Sequence, residues 1–540
     1  MIREETALKK LLKALCILGC AAICLSTNAC QEKSTNARQS IIAYSITADP
    51  DSLDPQIADT LEAQLIVINL FEGLVRQDAG GHPVPGVAAD WHISQDKTIY
   101  SFTLRPEACW SNGDPVTAED FLFAWQRVLD PVTDSDEASA FYAIKNAEAI
   151  HQGTLPLSAL GVYAEQQRLI VELAYPDPDF LITLTRAAAM PCQKAFFTSA
   201  GGQYGREADK LLCNGAFYLG KVGWVHNHIL YLRQNPFYHG SAIPVPAGVN
   251  IAIQETPEDV CQAISEGTVD CYALPCHALE QAQKSHLSLT AVGETVWGIT
   301  FNTQDVLLHS EAIRCALLSA LERSFILQKV PDGCTAVSEI IPDTVTFNGN
   351  SYRSQAPSGA YPAYSPHAKE AFQKALSAFS VPHQLKLTIL CADDADTQTI
   401  VNNMMQVWND LTDTYVNKKA VPAENLSKEL RSGNYQVMIA PLIAQNNSPE
   451  GILSLFTSDS PYSAAELSDP YYDDLLRSIQ ISAGPQALLS MIEAEQYISR
   501  KGIFYPLYAE KCCYACAPDV SGIIFHTYDR CIDFFFAAKT

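Results

Sequence analysis

The side chains best equipped for chemistry are thiols. The chain carries 17 cysteines, and Cys512, Cys513 and Cys516 crowd into one short stretch, a Cys-x-x-Cys with a third thiol beside it. Such a pair does thiol–disulfide chemistry when a helix terminus or a cation lowers one thiol pKa. The flanking Tyr508 and Tyr514 read instead as strand or core, and neither His nor Cys spacing, Cys531 included, completes a metal set. A structural role is expected. Thirteen cysteines follow Cys30, so complete pairing within the chain leaves at least one over. His226 and His228 are expected on one face of a strand, where two imidazoles can ligate a metal but more often form a polar surface. Asp393, Asp394 and Asp396 read as a solvated turn before a helix, lacking the Gly and terminal Glu of a calcium loop. There is no phosphate loop ending in Gly-Lys-Ser/Thr, no Gly-x-Ser-x-Gly elbow and no His-Glu-x-x-His helix. No catalytic set emerges, and no cofactor or metal is expected.

The elements that would position these residues are legible from periodicity. At 540 residues with 48% apolar content, the chain exceeds what one core serves, and two or three packed units are expected. A net charge of −24 repels phosphate backbones and excludes nucleic acid as a partner class. Arg3, Lys9, Lys10 and Lys13 flank an apolar run from Ala14 to Ser26, which as a helix would rise only about 20 Å, short of the ~30 Å hydrocarbon core. Residues 1–29 therefore read as a removable export signal.

Ile41 to Ile46 reads as a strand and a helix is expected to follow as far as Glu72. In 98–104 the alternation of Tyr100, Phe102 and Leu104 marks a half-buried strand. Thr117 with Asp120 forms a capping box for a helix striped by Phe121, Ala124, Trp125, Val128 and Leu129. Ser310 is expected to cap a helix carrying Ile313, Ala316, Leu317, Ala320 and Leu321. A strand over 386–390 precedes a helix carrying Ile400, Met404, Val407, Trp408 and Leu411. Residues 348–366 are expected as a long surface loop. Mixed strands and helices throughout imply an α/β protein.

Several motifs carry a family resemblance. Asp51-Ser52-Leu53-Asp54-Pro55, Leu70-Phe71-Glu72-Gly73-Leu74, Pro85-Gly86-Val87-Ala88 with Trp91, and Tyr100 to Arg105 come first. The most specific is Trp110-Ser111-Asn112-Gly113-Asp114-Pro115-Val116-Thr117-Ala118-Glu119-Asp120-Phe121. Asn214-Gly215-Ala216-Phe217-Tyr218-Leu219, Tyr238, Phe301-Asn302 and Ala320-Leu321-Glu322-Arg323 continue the order. The sequence resembles the oligopeptide/dipeptide/nickel-binding family of substrate-binding proteins of ABC transporters, nearest its oligopeptide branch.

The resemblance implies a two-lobed α/β fold of the periplasmic-binding-protein kind (type II), with an extra domain inserted in lobe I. It places lobe I at 38–74, 196–295 and 508–540, the extra domain at 75–195, lobe II at 296–507, and hinges near 296 and 507. It further implies a non-enzymatic receptor in the periplasm or cell envelope. This receptor would be a monomer that captures a peptide or peptide-like ligand and delivers it to the membrane subunits of an ABC permease. Cys30 follows Ala29 as in a bacterial lipoprotein signal, so lipidation at Cys30 and plain cleavage after Ala29 are the competing expectations.

Ligand-binding residues are likewise implied by the resemblance. Asp59, Thr60 and Leu61 fall on the lobe I edge that hydrogen-bonds an extended peptide. Glu510 falls where relatives place a tyrosine near the ligand, and Tyr142 lies in the extra domain near the cleft. Opposite, Leu442, Ile443 and Gln445 replace the stretch in which relatives carry an Asp for the peptide ammonium. Ala423, Leu430 and Ile439 replace Trp, Arg and Arg, giving a less aromatic and less cationic pocket. Because an amide cannot supply the ion pair that a carboxylate does, a non-peptide ligand (metal chelate, haem, glycopeptide) in the same fold stays open. So does a surface interaction or signalling role without transport.

Overall fold

The computed structural model describes residues 40–540 apart from 80, 178, 241–242, 256–258, 275, 329, 380–385, 414, 423–424, 443–447, 459, 461–462, 464, 483 and 527–530. The signal, Cys30, Ala423, Ile443 and Gln445 lie outside the described residues.

Ile41–Ile46 pairs in parallel with Gly248–Ile253, which continues antiparallel through Ile229–Gln234 to Phe217–Val225. The helix Leu61–Leu70 packs its Ile66, Val67 and Leu70 into the core, fully buried. Its Asn69 amide donates to the Ile532 carbonyl at 2.7 Å and accepts from the Phe534 N–H at 3.0 Å. The two ends of the chain are thereby stitched into one unit.

A second, antiparallel sheet takes the order Ala88–Ile93, Ile99–Leu104, Arg168–Glu172, Val162–Glu165. Tyr100, Phe102 and Leu104 face inward, as their alternation requires. The helix Ala118–Leu129 begins with the Thr117–Asp120 capping box and buries Phe121, Ala124, Trp125, Val128 and Leu129 completely. Trp110, also fully buried, donates Nε1–H to Asp120 Oδ2 at 3.2 Å, and the same oxygen accepts from the Thr117 N–H at 2.9 Å. Burial raises the Asp120 pKa, partly offset by these donors. The motif from Trp110 to Phe121 is thus a scaffold element: a turn at Gly113 (φ 88°), then a helix cap held by a buried indole. Arg127 joins this sheet to the first unit, pairing with Asp54 at 2.5 Å while its guanidinium lies 3.9 Å over the Phe197 ring. One apolar core runs through both sheets.

The third sheet is the largest. Its order is Cys271–Leu274, Phe504–Cys516, Ser288–Phe301, Val437–Leu442, Thr388–Ala392, Asn417–Val421, with Thr335–Ala336 on the free edge of Phe504–Cys516. Helix Ala395–Thr412 is capped by Asp394, which accepts from the Thr397 N–H at 2.8 Å, and buries Ile400, Met404, Trp408 and Leu411 against the sheet. Ser310 stands at the N-cap of Glu311–Ser319 without a side-chain cap bond, and that helix ends before Ala320 and Leu321.

Ser288–Phe301 and Phe504–Cys516, the two long strands of this sheet, run antiparallel through two separate cores. Val292, Cys513, Tyr514 and Ala515 belong to the first core, whereas Val296, Ile299, Phe504, Leu507 and Ala509 belong to cores built from residues of the 296–509 region. Between them lie Gly293 to Thr295 and Glu510 to Lys511. Register shifts flank this crossing, one between Ala291 and Gly293 and one between Trp297 and Gly298. A paired but irregular two-strand connection is a place where rotation disturbs few packed side chains.

Two sequence expectations differ from the structure. His226 and His228 form the turn between Phe217–Val225 and Ile229–Gln234, not a strand face, because Asn227 between them takes φ 58°, a conformation Asn tolerates. His226 instead meets Asp49 at 2.8 Å and Glu207 at 3.5 Å. The stretch 348–366 is not all surface. Tyr352 is fully buried beside Glu495, whose carboxylate also pairs with Arg353.

Candidate functional site

The crossing strands place a cluster of distinct chemistry at the junction. On the Phe504–Cys516 strand, Tyr508 and Glu510 are two apart and share one face. Trp297, opposite Tyr508 on the partner strand, stacks on its ring with centroids 5.9 Å apart and planes 12° apart. The Trp297 indole donates to Glu510 Oε2 at 2.9 Å. Burial pushes the Tyr508 pKa upward, so its hydroxyl stays protonated. Trp297 and Glu510 are both half-buried. An aromatic ring with a carboxylate at its rim offers a flat apolar surface and an anionic anchor, which suits a ligand that is apolar in part and cationic in part.

Around Trp297, half-buried Val421 and Leu430 pack over Leu390, Ala392, Met438 and Ala440. Leu442 ends its strand opposite Val296, nearly buried. The segment carrying Ile443 and Gln445 follows it directly in sequence. Leu430 and Glu510 are therefore brought to Trp297, whereas Leu442 packs with Val296 and Ala509 on the opposite face of the sheet. Ile439 faces away from Met438 and Ala440, fully buried with Ile299, Ile389, Val437 and Tyr508 in the core on which Trp297 also packs, and presents no surface. Its alternation with Met438 and Ala440 accounts for this, since neighbouring residues of a strand face opposite ways.

Asp59, Thr60 and Leu61 are exposed at the N-terminus of the first helix. Thr60 caps it, accepting from the Ala63 N–H at 3.2 Å. The helix start is tied to the end of the first strand by the Thr47 hydroxyl, 2.8 Å from Glu62 Oε1. Strand ends and helix starts of this kind form the ligand crevice in open α/β sheets. Tyr142 sits elsewhere, packed on the first core with its hydroxyl 2.7 Å from His151 Nδ1.

Trp297 was not singled out in the sequence, although it lies four residues before Phe301-Asn302. Its signal was a lone Trp beside apolar residues, which reads as core unless its strand is known to cross between two cores. A small groove lined by Glu72, Arg76, Tyr238, Asp533 and Phe535 lies within the first unit, away from the crossing. There Glu72, from the Leu70 to Leu74 motif, accepts from the Tyr238 hydroxyl at 2.7 Å. Among the described residues, no group of three or more His, Cys, Asp or Glu is placed to hold a metal ion.

Two α/β bodies joined by a pair of antiparallel strands, with ligand-type side chains at the joint, define a two-lobed binding protein of the periplasmic kind. Residues 82–464 match the family described as bacterial extracellular solute-binding proteins, family 5 Middle, and the chain belongs to that family of non-catalytic, transport-associated proteins that act outside the cytoplasm. It is 26% identical over 518 residues to a dipeptide-binding protein of Lactococcus lactis subsp. cremoris, covering 92% of this chain and 93% of the relative. It is 27% identical over 500 residues to a probable deoxycholate-binding periplasmic protein of Escherichia coli, covering 91% and 92%. Among solved structures, the Escherichia coli murein tripeptide binding protein superposes with a TM-score of 0.77 at 26% identity, covering 93% of this chain and 99% of that one. The unliganded open form of the same protein superposes less well, at 0.65, over 93% and 98%.

Proposed function

We propose that this protein captures peptides or peptide-like solutes outside the cytoplasm, closes its lobes over them and presents the closed form to the membrane subunits of an ABC permease. The observation carrying this reading is the division of cores along the two crossing strands, with Trp297, Tyr508 and Glu510 at the division. A ligand touching both lobes stabilises the shut form only by its extra contacts there. The lower score against a relative's open form supports a lobe arrangement displaced from fully open.

In this reading the exposed backbone of Asp59, Thr60 and Leu61 pairs with an extended ligand. Glu510 and Trp297 anchor it, and Leu430, Ile443, Gln445 and Ala423 line the facing wall beside the buried Leu442, with Tyr142 at the extra-domain side. Ile439 supports that wall from beneath. The protein works as a monomer, and Cys30 becomes the lipid-bearing N-terminal residue of the mature chain. Mass spectrometry of the mature N-terminus tests the last point, an unmodified terminus counting against it. Titration calorimetry with a defined tripeptide tests the first. Saturable binding with a smaller radius of gyration is the expected result; binding without compaction would refute the closing trap.

A second reading is favoured by one pair of features. The relative named for deoxycholate covers almost the whole chain, and the wall at Leu430 and Trp297 is apolar, as a fused-ring amphiphile with one carboxylate would require. Glu510 opposes that reading, since it would repel the ligand's own carboxylate.

A further inference from the structure

Two thiols meet where the lobes join. On the edge of Phe504–Cys516 away from Ser288–Phe301, Cys271–Leu274 pairs with residues 513–516 and Thr335–Ala336 with 508–509. Residues 510–512 are left between them on that edge, and the chain segments that close the gap carry Cys276 and Cys334. Cys276 Sγ donates to the Lys511 carbonyl at 3.3 Å. The chain beside Cys334 lies directly on Cys276. A Cβ at Gly333 (φ 84°) would stand 2.4 Å from the Cys276 carbonyl oxygen and 2.8 Å from its Cβ, so only glycine permits this approach. The proximity of the two thiols lowers the Cys276 pKa and raises that of Cys334.

The two cysteines belong to different bodies. Leu274 and Ala278, on either side of Cys276, pack in or on the first core, whereas Cys334 packs on the core of Ile299 and Phe301. Other thiol pairs do not span the joint. Cys271 and Cys516 face each other across two strands of the first unit, and Cys512 and Cys513 are adjacent on one strand and point to opposite faces.

We propose that Cys276 and Cys334 are a disulfide-forming pair that ties the two lobes together at the hinge when the protein meets a disulfide donor outside the cytoplasm. One sulfur of the pair, as thiolate, attacks a sulfur of the donor. The donor S–S bond breaks, a mixed disulfide forms and one donor thiol leaves. The second cysteine sulfur then displaces the remaining donor thiol, so two protein thiols become one disulfide and one donor disulfide becomes two thiols. The bridge encloses the Ser288–Phe301 crossing strand in the loop between the two cysteines and limits rotation about it. Cys334, half-buried, gives the donor its access.

The test uses the full mature protein, reduced with dithiothreitol and then equilibrated with oxidised glutathione, followed by non-reducing peptide mapping and amide hydrogen exchange. The expected products are joined peptides containing Cys276 and Cys334, absent from Cys334→Ser and from Cys276→Ser. Exchange at 293–296 and 509–512 is expected to slow several-fold on oxidation of the wild type and to stay unchanged in both variants. Gly333→Ala, which keeps both thiols but separates the chains, should lower the yield of the bridge at least fivefold. Glutathione left on either cysteine, a bridge from Cys276 to Cys513, or a bridge that leaves exchange unchanged would overturn the proposal. No ligand enters these readouts, so their failure leaves the uptake function untouched.

Discussion

Gly298 lies at the second register shift of the crossing, where it pairs with Pro506. A methyl group there would meet Phe504 Cζ at 2.3 Å, Cε1 at 2.5 Å and the Tyr505 carbonyl oxygen at 2.5 Å. Carbon atoms rest at about 3.5–4.0 Å, so the ring must retreat by more than about 1 Å. Phe504 is fully buried and meets Phe456 edge-on at 6.0 Å, and the third contact is backbone, so retreat means displacing the second crossing strand. Burying the methyl stabilises by about 0.8 kcal/mol, while overpacking costs about 1–3 kcal/mol or more. The upper end applies with backbone involved, and Gly298→Ala is predicted to destabilise the 296–509 region by about 2 kcal/mol net. Differential scanning calorimetry should show that region's transition lowered by roughly 4–8 °C, taking about 2–4 °C per kcal/mol for a unit of this size. Phe504→Leu should be worth at least ~1 kcal/mol less in the Gly298→Ala background than alone, because it removes two of the three clashes. A transition moved by less than 1 °C, or strictly additive variants, would refute the assigned packing of the crossing strands.

Three further outcomes are expected. Trp110→Ala should cost about 3–5 kcal/mol, whereas Trp110→Phe, which removes the bond to Asp120 but keeps most of the buried ring, should cost about 1–2 kcal/mol; chemical denaturation separates them, and equal losses would deny the packing role of the ring. Burial alone would lower the His226 pKa, but Asp49 and Glu207 outweigh it and raise the pKa above 6.5, so its contribution is complete below pH 6.5 and is lost as pH rises through the folded value. With the side chain 38% exposed, screening keeps this below about 1 kcal/mol, and thermal melts of His226→Gln from pH 5 to 9 should show that loss flattened. Gln445→Asp should strengthen binding of a free-amine peptide by about 1–2 kcal/mol and leave its N-acetylated counterpart unchanged or weaker; calorimetry showing strong wild-type preference for the free amine and no gain would place the ammonium on Glu510 or Asp59.

Periodicity located the elements that depend on one face meeting one core. The stripe from Phe121 to Leu129 and the alternation of Tyr100 to Leu104 bury the residues their spacing selects, and so does the helix around Trp408 except at Val407, which is half-buried. What periodicity could not supply is which core a strand serves. Ser288–Phe301 is one unbroken strand, yet it leaves one core and enters another within four residues of Gly293. Trp297 becomes a site residue only because of that passage, and Ile439 loses surface because its strand lies in the middle of the sheet with a core on that face. The turn at His226 escaped because a positive φ at Asn227 leaves no mark on hydropathy. Cys276 and Cys334 stand far apart in sequence, and their meeting depends on Gly333 and on two strands sharing an edge, which spacing alone does not encode.

What occupies the junction of the lobes decides between a peptide receptor and any other binding protein of this fold. Native mass spectrometry of protein purified without denaturation should find adducts whose masses resolve into peptides, released on unfolding and reduced in Trp297→Ala. A recurring non-peptide mass, or an empty protein that binds no member of a peptide library, would contradict the peptide-receptor reading.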